Sequence, residues 1–250
     1  MKIVEKLNPA IAGLAPGLPQ TLAQHGLPDD ADVFFRSRNI VAGTADGELC
    51  IKSFHQPGAV KGAIYGFLRK PKALRAYENA LRLGELGVPT PEPFACVLCY
   101  EKGLLKRSYY VCRYLHGWNE LRKVQERPDF GAIARDLAAF TLSLHRKGIF
   151  MKDFSMGNVL FRAKDGGGYE FMLVDINRMF FDVTDSKTLM LNFKGLLETA
   201  DAMAVLAREY AKAAGLPDAD AFVAEALAIY NRHQVKVERK KKLKKLLKHK

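Results

Sequence analysis

The 250-residue sequence has no apolar run of about 18 residues or more, so no transmembrane helix is expected. Its first residues, Met1-Lys2-Ile3-Val4-Glu5-Lys6, lead into Leu, Pro, Gly and Ala without a continuous apolar segment, which argues against a secretory signal and for the cytoplasm. Cysteine is scarce: Cys50, Cys96, Cys99 and Cys112 lie in apolar, strand-like surroundings. Cys96-Val97-Leu98-Cys99 has CxxC spacing, but no second pair and no nearby His completes a tetrahedral zinc set, so the four read as buried free thiols. No G-x-G-x-x-G run is present, which removes the glycine cradle that many phosphate sites build from backbone N–H groups. Acidic residues are nearly missing from the C-terminus: Lys236 to Lys250 hold eight Lys and one Arg against one Glu. That stretch carries +8 of the net +12, so the rest of the chain is only mildly basic.

What is present is enough apolar material, 48% of residues, to bury a core in one large domain or two lobes. The chemistry concentrates in Met151-Lys152-Asp153-Phe154-Ser155-Met156-Gly157-Asn158 and in Val174-Asp175-Ile176-Asn177. Val159-Leu160-Phe161 and Tyr169 to Val174 read as strands, closed into a hairpin by Lys164-Asp165-Gly166-Gly167-Gly168. The hairpin brings Asn158 and Asp175 to one end, where two oxygen ligands suit Mg2+, a cation that keeps waters and phosphates in its shell. Asp153 and Asn158 stand five positions apart on an irregular loop. This is the spacing of a kinase catalytic loop, in which the Asp accepts the acceptor hydroxyl's proton and the Asn holds a metal ion. Phosphoryl transfer from ATP is the expectation; a surface hairpin with ordinary polar ends is the alternative.

Residues 1–30 read as a strand and a helix packed on the next segment of the chain. Ala31 to Phe35, Asn39 to Ala42 and Glu48 to Ile51 predict an antiparallel meander turned by Gly43-Thr44-Ala45-Asp46-Gly47. Lys52 ends its third strand, and a helix is predicted from Lys72 to Leu86, stopped by Gly87 and Pro89. Leu74, Glu78, Leu81 and Glu85 share one helical face, which is expected to point inward and to bring Glu78 a cation. In kinases a strand Lys grips the α- and β-phosphates and a helix Glu holds that Lys. A solvated Lys52 and a surface Glu78 to Arg82 pair are the other readings. The covering segment Arg36-Ser37-Arg38 offers charge in place of glycine: Arg36 and Arg38 alternate along a strand toward phosphate, or are solvated edge residues.

Phe94 to Val97 and Ser108 to Leu115 read as two more strands, bridged by Glu101-Lys102-Gly103. Where the second runs into His116-Gly117, adenine is expected against Arg113, Tyr114 and Leu115. Phe130 to Lys147 predicts an amphipathic helix on Ile133, Leu137, Phe140 and Leu144, with His145 as a core or dipole-compensating residue. Leu196 to Ala214 and Asp218 to His233 predict further helices. In the tail, leucines recur among lysines, so a solvated helix end, an anionic membrane surface and nucleic acid compete; the lack of interleaved aromatics weakens the last.

Ile51-Lys52-Ser53-Phe54, Arg75-Ala76-Tyr77-Glu78-Asn79-Ala80, Leu86-Gly87-Val88-Pro89-Thr90-Pro91-Glu92-Pro93, Asp153 to Phe161 and Val174-Asp175-Ile176-Asn177-Arg178 carry a resemblance. The chain resembles the protein-kinase-like superfamily, and within it the bacterial lipopolysaccharide kinases that phosphorylate Kdo or heptose in the inner core. The similarity runs from about Val33 to Asn192. It implies an α+β, bilobal protein-kinase-like fold, with an antiparallel β-sheet N-lobe bearing one main helix and a mainly helical C-lobe. The expected divisions are an N-terminal β-rich nucleotide-binding lobe at 1–112, a hinge at 113–119, a helical catalytic lobe at 120–235 and a polybasic tail at 236–250. The resemblance assigns Lys52 to the phosphates, Glu78 to Lys52, Asp153 to the base role, and Asn158 and Asp175 to Mg2+, with ATP as donor. Met151 stands where kinases have a His, Ser155 where Ser/Thr kinases have a Lys, and Asn177 where a Gly follows the metal-binding Asp. No A-P-E segment follows, so a lipid-linked anionic sugar acceptor is expected and a protein substrate is not. Nucleic acid is not expected either, and the tail is expected to hold the enzyme on the inner face of the cytoplasmic membrane. A small-molecule kinase of the aminoglycoside or choline type and a nucleotide-binding pseudokinase are the alternatives.

Overall fold

A computed structural model describes residues 1–55 and 70–248. The chain divides into two compact units, Met1–His116 with Asp175–Arg178, and Gly117–Val174 with Met179–Lys250.

In the first unit β1 (Lys2–Leu7), β2 (Asp32–Arg36), β3 (Ile40–Gly43), β4 (Leu49–Ser53), β5 (Pro93–Glu101) and β6 (Leu104–Arg113) form one antiparallel sheet in the order β1-β5-β6-β4-β3-β2. β5 and β6 are longer than expected because Lys102 (φ +48°) and Gly103 (φ +79°) make a two-residue turn with both residues left-handed, setting Glu101 opposite Leu104. That backbone matches the twist of the strands it joins. Helix α1 (Leu18–Gln24) buries Leu22 and Ala23 against Leu49, Ile51, Val97, Cys99, Tyr109 and Val111. Side chains alternate along β4, so Lys52 leaves the face that Leu49 and Ile51 give to this core.

Helix α2 (Lys72–Glu85) packs on β5 and β6, but not on the face expected. Its buried residues are Ala73, Ala76, Tyr77, Ala80 and Leu83. The small alanines let the helix lie close to the sheet, and Leu83 is fully buried while Leu81 is 39% exposed. The stripe Leu74-Glu78-Leu81-Glu85 is therefore turned partly outward. The leucines at 74 and 81 suggested the wrong face because three alanines, weak in any hydrophobic count, do the packing.

In the second unit α3 (Phe130–Arg146) buries Ile133, Ala134, Leu137, Ala138 and Leu144 completely. β9 (Val159–Ala163) and β10 (Tyr169–Leu173) form the expected hairpin, with Leu173 opposite Val159, and β7 (Asn119–Glu120) adds to β9. β8 (Phe150–Met151) pairs with β11 (Met179–Phe180), and Met151 is buried, so an apolar residue fills this position. Past α4 (Ser186–Met190), a tight turn Leu191–Lys194 leads to α5 (Ala200–Ala214), whose N-cap Thr199 accepts from the Ala202 N–H at 3.2 Å. The predicted helix from Leu196 thus starts four residues later, where a cap exists. Phe193 meets Tyr210 and Phe222 edge-on, and Tyr210 stacks on Phe222 with ring centroids 5.1 Å apart.

The last helix, α6 (Ala219–Lys248), does not stop at His233. It continues unbroken through the basic stretch, with Leu243 and Leu246 exposed; residues 249 and 250 of the expected tail lie outside the described residues. Lysine and leucine are good helix formers, and no Gly or Pro interrupts the segment.

Candidate active site

In the first unit the site is built around Asp175. Its backbone is left-handed, φ +55°, a conformation that costs a non-glycine residue about 1–2 kcal/mol and that Asp tolerates better than most. Two contacts hold its Oδ1: the Lys52 Nζ at 2.6 Å and the Asn177 Nδ2 at 2.6 Å. Asn177, in the place of the expected glycine, is buried and acts as a clamp on Asp175. Asn79 of α2 donates to the Ile176 carbonyl at 2.7 Å, so the short turn Ile176–Arg178 is tied to the helix. Lys52 is only 17% exposed, and its ammonium lies 5.5 Å from the centre of the Phe54 ring.

Lys52 and Glu78 were expected to pair, and the structure gives each another partner. Glu78 accepts from the Lys70 Nζ at 2.8 Å and the Lys6 Nζ at 3.1 Å. Burial would raise its pKa, but the two ammonium groups outweigh burial and lower it. The physical reason is the face of α2: Glu78 is 31% exposed and meets lysines arriving from β1 and from the residue before Pro71.

Sequence reasoning missed Lys72, at the start of α2. Burial pushes its ammonium pKa down, Arg38 pushes it further, Asp175 opposes, and Arg75 and Lys52 add to the lowering. Lys72 thus feels three other cations and one carboxylate, a local excess of positive charge that suits a polyanion. Lys72 had no signal of its own, since a lysine at a helix start is usually solvated. The strand argument for Arg36 and Arg38 fails, because β2 ends at Arg36 and Arg38 lies in the bend beyond it. Arg38 enters instead through its field on Lys72.

At the end of β6, Arg113 pairs with Glu48 and Glu92, each at 3.3 Å. The Arg113 N–H donates to the Glu92 carbonyl and the Tyr114 N–H to the Glu48 carbonyl, both at 2.9 Å. Those two N–H groups are committed, which leaves Leu115 as the part of the expected adenine segment to offer a backbone donor. The Tyr114 ring packs on Phe34 and His116, and its edge comes within 3.2 Å of where a Cβ on Gly43 would lie.

In the second unit the loop carrying Asp153 is closed from three sides. The Asn158 Nδ2 donates to the Asp153 carbonyl at 2.9 Å, across the five-residue spacing read from the sequence. The Leu121 N–H holds the Met156 carbonyl at 2.9 Å, and the Lys194 Nζ donates to the Lys152 carbonyl at 2.6 Å. Lys194 also lies 5.8 Å from the centre of the Phe150 ring. The Val174 N–H donates to the Asn158 carbonyl at 2.9 Å, and Asp175 is the next residue in the chain. Beneath the loop, His145 is buried, with Nδ1 2.8 Å from the Tyr210 hydroxyl and Nε2 3.1 Å from Asn192; burial lowers its pKa to about 4. It is a core residue with no route to a reacting atom.

The donor chemistry fits Mg2+. Among the described residues no group of three or more His, Cys, Asp or Glu side chains gathers to hold a metal. Asp175 in the first unit offers one carboxylate, and Asn158 in the second offers one amide whose nitrogen is committed and whose oxygen is the acceptor end; hard oxygen donors of this kind, few in number, are what Mg2+ takes alongside phosphates and waters.

A sheet with one principal helix, followed by a catalytic-type loop, a hairpin and a helical remainder, is a protein-kinase-like fold. The sequence matches the Lipopolysaccharide kinase (Kdo/WaaP) family over residues 61–220. This chain belongs to that family: it is a kinase, uses ATP as such kinases do, and acts in lipopolysaccharide core synthesis. No curated protein matches it in a sequence search. Among solved structures, WaaP in complex with acyl carrier protein has a TM-score of 0.60 at 16% identity, over 96% of this chain and 99% of that one. The Rio2 kinase–ADP/Mg2+–phosphoaspartate complex from Chaetomium thermophilum has a TM-score of 0.44 at 17% identity, over 88% of this chain and 75% of that one. The bifunctional kinase-methyltransferase WbdD has a TM-score of 0.45 at 14% identity, over 76% and 47%.

Proposed function

We propose that this enzyme transfers the γ-phosphoryl group of magnesium-ATP to a hydroxyl of an inner-core sugar, Kdo or heptose, on a lipid-linked acceptor. The observation that carries the reading is the 2.6 Å Lys52 to Asp175 pair, in a chain of this family. A phosphate-gripping cation and a metal-holding carboxylate are the two charges such a reaction needs side by side.

Asp153 orients the acceptor hydroxyl and takes its proton as the new oxygen–phosphorus bond forms and the bond from the γ-phosphorus to the β,γ-bridging oxygen breaks. Asp175 and Asn158 would hold Mg2+, which neutralises charge on the phosphates when bound. With its carboxylate engaged there, Asp175 releases Lys52 to the α- and β-phosphates, and Glu78 is the helix carboxylate that would receive Lys52 in turn. Arg36, Arg38 and Lys72 add charge for the phosphates, and adenine lies at Arg113 to Leu115, with Leu115 supplying the backbone donor. On this reading residues 1–112 are the nucleotide-binding lobe, 113–119 the hinge and 120–235 the catalytic lobe. The basic stretch 236–250 would hold the enzyme at an anionic membrane face, at about 1 kcal/mol per basic residue. Flotation with anionic liposomes should be lost in a chain ending at Gln234; equal flotation would remove that part of the reading.

The test of the reaction is magnesium-dependent transfer of labelled phosphate from ATP to a Kdo-bearing lipid A precursor, with Asp153→Ala beside the wild type. Transfer that vanishes in the variant is expected. Turnover of soluble aminoglycosides or choline in place of the lipid would make this a small-molecule kinase, and loss of nucleotide binding altogether would make it a pseudokinase.

A further inference from the structure

Side chains along β4 and β6 go alternately to the two faces of the first unit's sheet. Leu49, Ile51, Tyr109 and Val111 pack in the core with Leu22 and Ala23 of α1, so Cys50, Lys52, Tyr110 and Cys112 take the other face. There Cys50 stands directly opposite Cys112, and the next pair on the same face is Lys52 with Tyr110. Cys50 is the partly exposed member of the thiol pair and Cys112 the buried one. Neither of the other cysteines has a thiol opposite it. Cys96 faces Tyr110 across the ladder, and Cys99 faces Arg107 and donates its thiol to the Ala23 carbonyl at 3.9 Å. Three positions apart on one strand, Cys96 and Cys99 point to opposite faces, so their CxxC spacing does not make them a pair.

Two backbone bonds of this ladder define the geometry of the Cys50–Cys112 pair. The Tyr114 N–H donates to the Glu48 carbonyl at 2.9 Å and the Phe54 N–H to the Ser108 carbonyl at 3.0 Å, so pairs that exchange backbone bonds fall at every second residue of β4, Cys50 among them. Cα atoms in such a pair lie about 5.5 Å apart, within the range of about 4.4–6.8 Å that a disulfide spans. Closing the bridge draws the two Cβ atoms in by about 1 Å, so it carries strain, and strained bridges are the readily reduced ones. The chemistry of the thiols agrees with this geometry. A hydrogen bond from Cys112 and the nearby Lys52 ammonium outweigh burial and lower the Cys50 pKa, while the same bond and burial push the Cys112 thiol up. The thiolate is the nucleophile, so the partly exposed Cys50 is the sulfur that reacts first.

We propose that Cys50 and Cys112 are a modification site, a dithiol that a peroxide oxidises to a reversible disulfide beside Lys52, and that the bridge weakens the unit's grip on ATP. The Cys50 thiolate attacks a peroxide oxygen; the S–O bond forms as the O–O bond breaks, and the departing hydroxide takes up the proton that Cys50 shed. The Cys112 sulfur then attacks the Cys50 sulfur, the S–S bond forms, the S–O bond breaks, and water leaves with the Cys112 proton. Two thiols lose two electrons and one peroxide becomes two waters. The bridge itself is independent of the sugar-kinase reading. Its effect on nucleotide rests on that reading, which seats phosphates at Lys52, two residues from Cys50, and adenine at Arg113 to Leu115, directly after Cys112. A close-packed sheet passes the inward pull on to both. Linkage makes the effect reciprocal, so bound ATP holds the bridge open.

Trypsin separates the partners: Cys50 leaves in residues 39–52, Cys112 in 108–113, and Cys96 with Cys99 in 83–102. The reduced full-length protein is treated with hydrogen peroxide, its remaining thiols are alkylated, and the digest is read by mass spectrometry. A linked 39–52 and 108–113 peptide is expected, lost after dithiothreitol and absent from Cys50→Ala. Thiols that stay alkylatable, oxidation of Cys50 beyond the sulfenic acid with no bridge, or a link to 83–102 instead overturns the site, whether or not the enzyme phosphorylates any sugar. Calorimetry on the desalted protein reads the second half. The Kd for magnesium-ATP should rise about tenfold in the bridged wild type and return on reduction, and peroxide should leave the affinity of Cys50→Ala where it was. A bridge that forms with ATP affinity unchanged overturns its role at the nucleotide site. If the reduced protein binds no ATP, the sugar-kinase reading fails and the bridge, read by mass, stands.

Discussion

Asp175 and Glu78 are both carboxylates held by lysine in the same unit, and the contrast between them shows what separates a shielded charge from a surface one. Asp175 is reached by a lysine fixed on a central strand and 17% exposed, its backbone is left-handed, and Asn177 clamps the same oxygen. Glu78 is reached by Lys6 and Lys70, which are 46% and 64% exposed, on the rim of a helix whose alanines face the sheet. Exposed pairs of the second kind contribute little, about 0–1 kcal/mol, because water screens them and two long side chains must be ordered. Backbone strain of this kind clusters at functional sites, and at Asp175 it coincides with a shielded ion pair, the basis for the role proposed for this residue. The resemblance gave Lys52 to Glu78 and a metal ion to Asp175; in the structure Lys52 meets Asp175, and Glu78 meets Lys6 and Lys70.

The largest effect that sharpens this contrast is on rate. Asp175→Asn should lower kcat by about a thousandfold or more, since the transferring charge loses its metal carboxylate, and steady-state kinetics on the lipid acceptor reads this directly. Leu83→Ala, on the packed face of α2, should cost about 2–5 kcal/mol in urea unfolding, against less than about 1 kcal/mol for Leu81→Ala. Equal losses would restore the Glu78 face to the interior. His145 supplies a buried titratable group with no charged partner. Its pKa is about 4 in the folded chain and about 6.5 unfolded, so the unfolded chain takes up the proton first as pH falls. Stability due to this group is complete above about pH 6.5 and lost on acidification through pH 4, by about 3 kcal/mol, and His145→Gln should flatten that part of the profile. The smallest effect belongs to Glu78→Gln: under about 1 kcal/mol of stability, fading in high salt, with a loss in kcat of about tenfold if Glu78 receives Lys52 during turnover.

Much of the second unit was legible because its signals are local. The Gly166-Gly167-Gly168 turn fixes the 159–173 hairpin, all three glycines having positive φ, and the five-residue step from Asp153 to Asn158 appears as a single hydrogen bond. The 130–146 helix follows from leucine and isoleucine spacing alone. The partners of Glu78 were not legible, because they depend on which face of α2 meets the sheet, and alanines decided that. Lys72 and Lys194 were missed for a related reason: each acts across a fold, Lys72 on the field around Asp175 and Lys194 on a carbonyl 42 residues away. The basic stretch reads as a tail because charge marks a boundary in composition, whereas the backbone follows helix propensity and runs straight through it.

The measurement that tests the central claim most directly is ATP binding by calorimetry, with and without Mg2+, to the wild type, Asp175→Asn and Glu78→Gln. Asp175 as the metal carboxylate, paired with Lys52 until nucleotide arrives, predicts that Mg2+ tightens binding to the wild type and to Glu78→Gln but not to Asp175→Asn. The Asp175→Asn protein should still bind metal-free ATP at least as well as the wild type, because its Lys52 is released. Magnesium dependence that survives unchanged in Asp175→Asn would contradict the account.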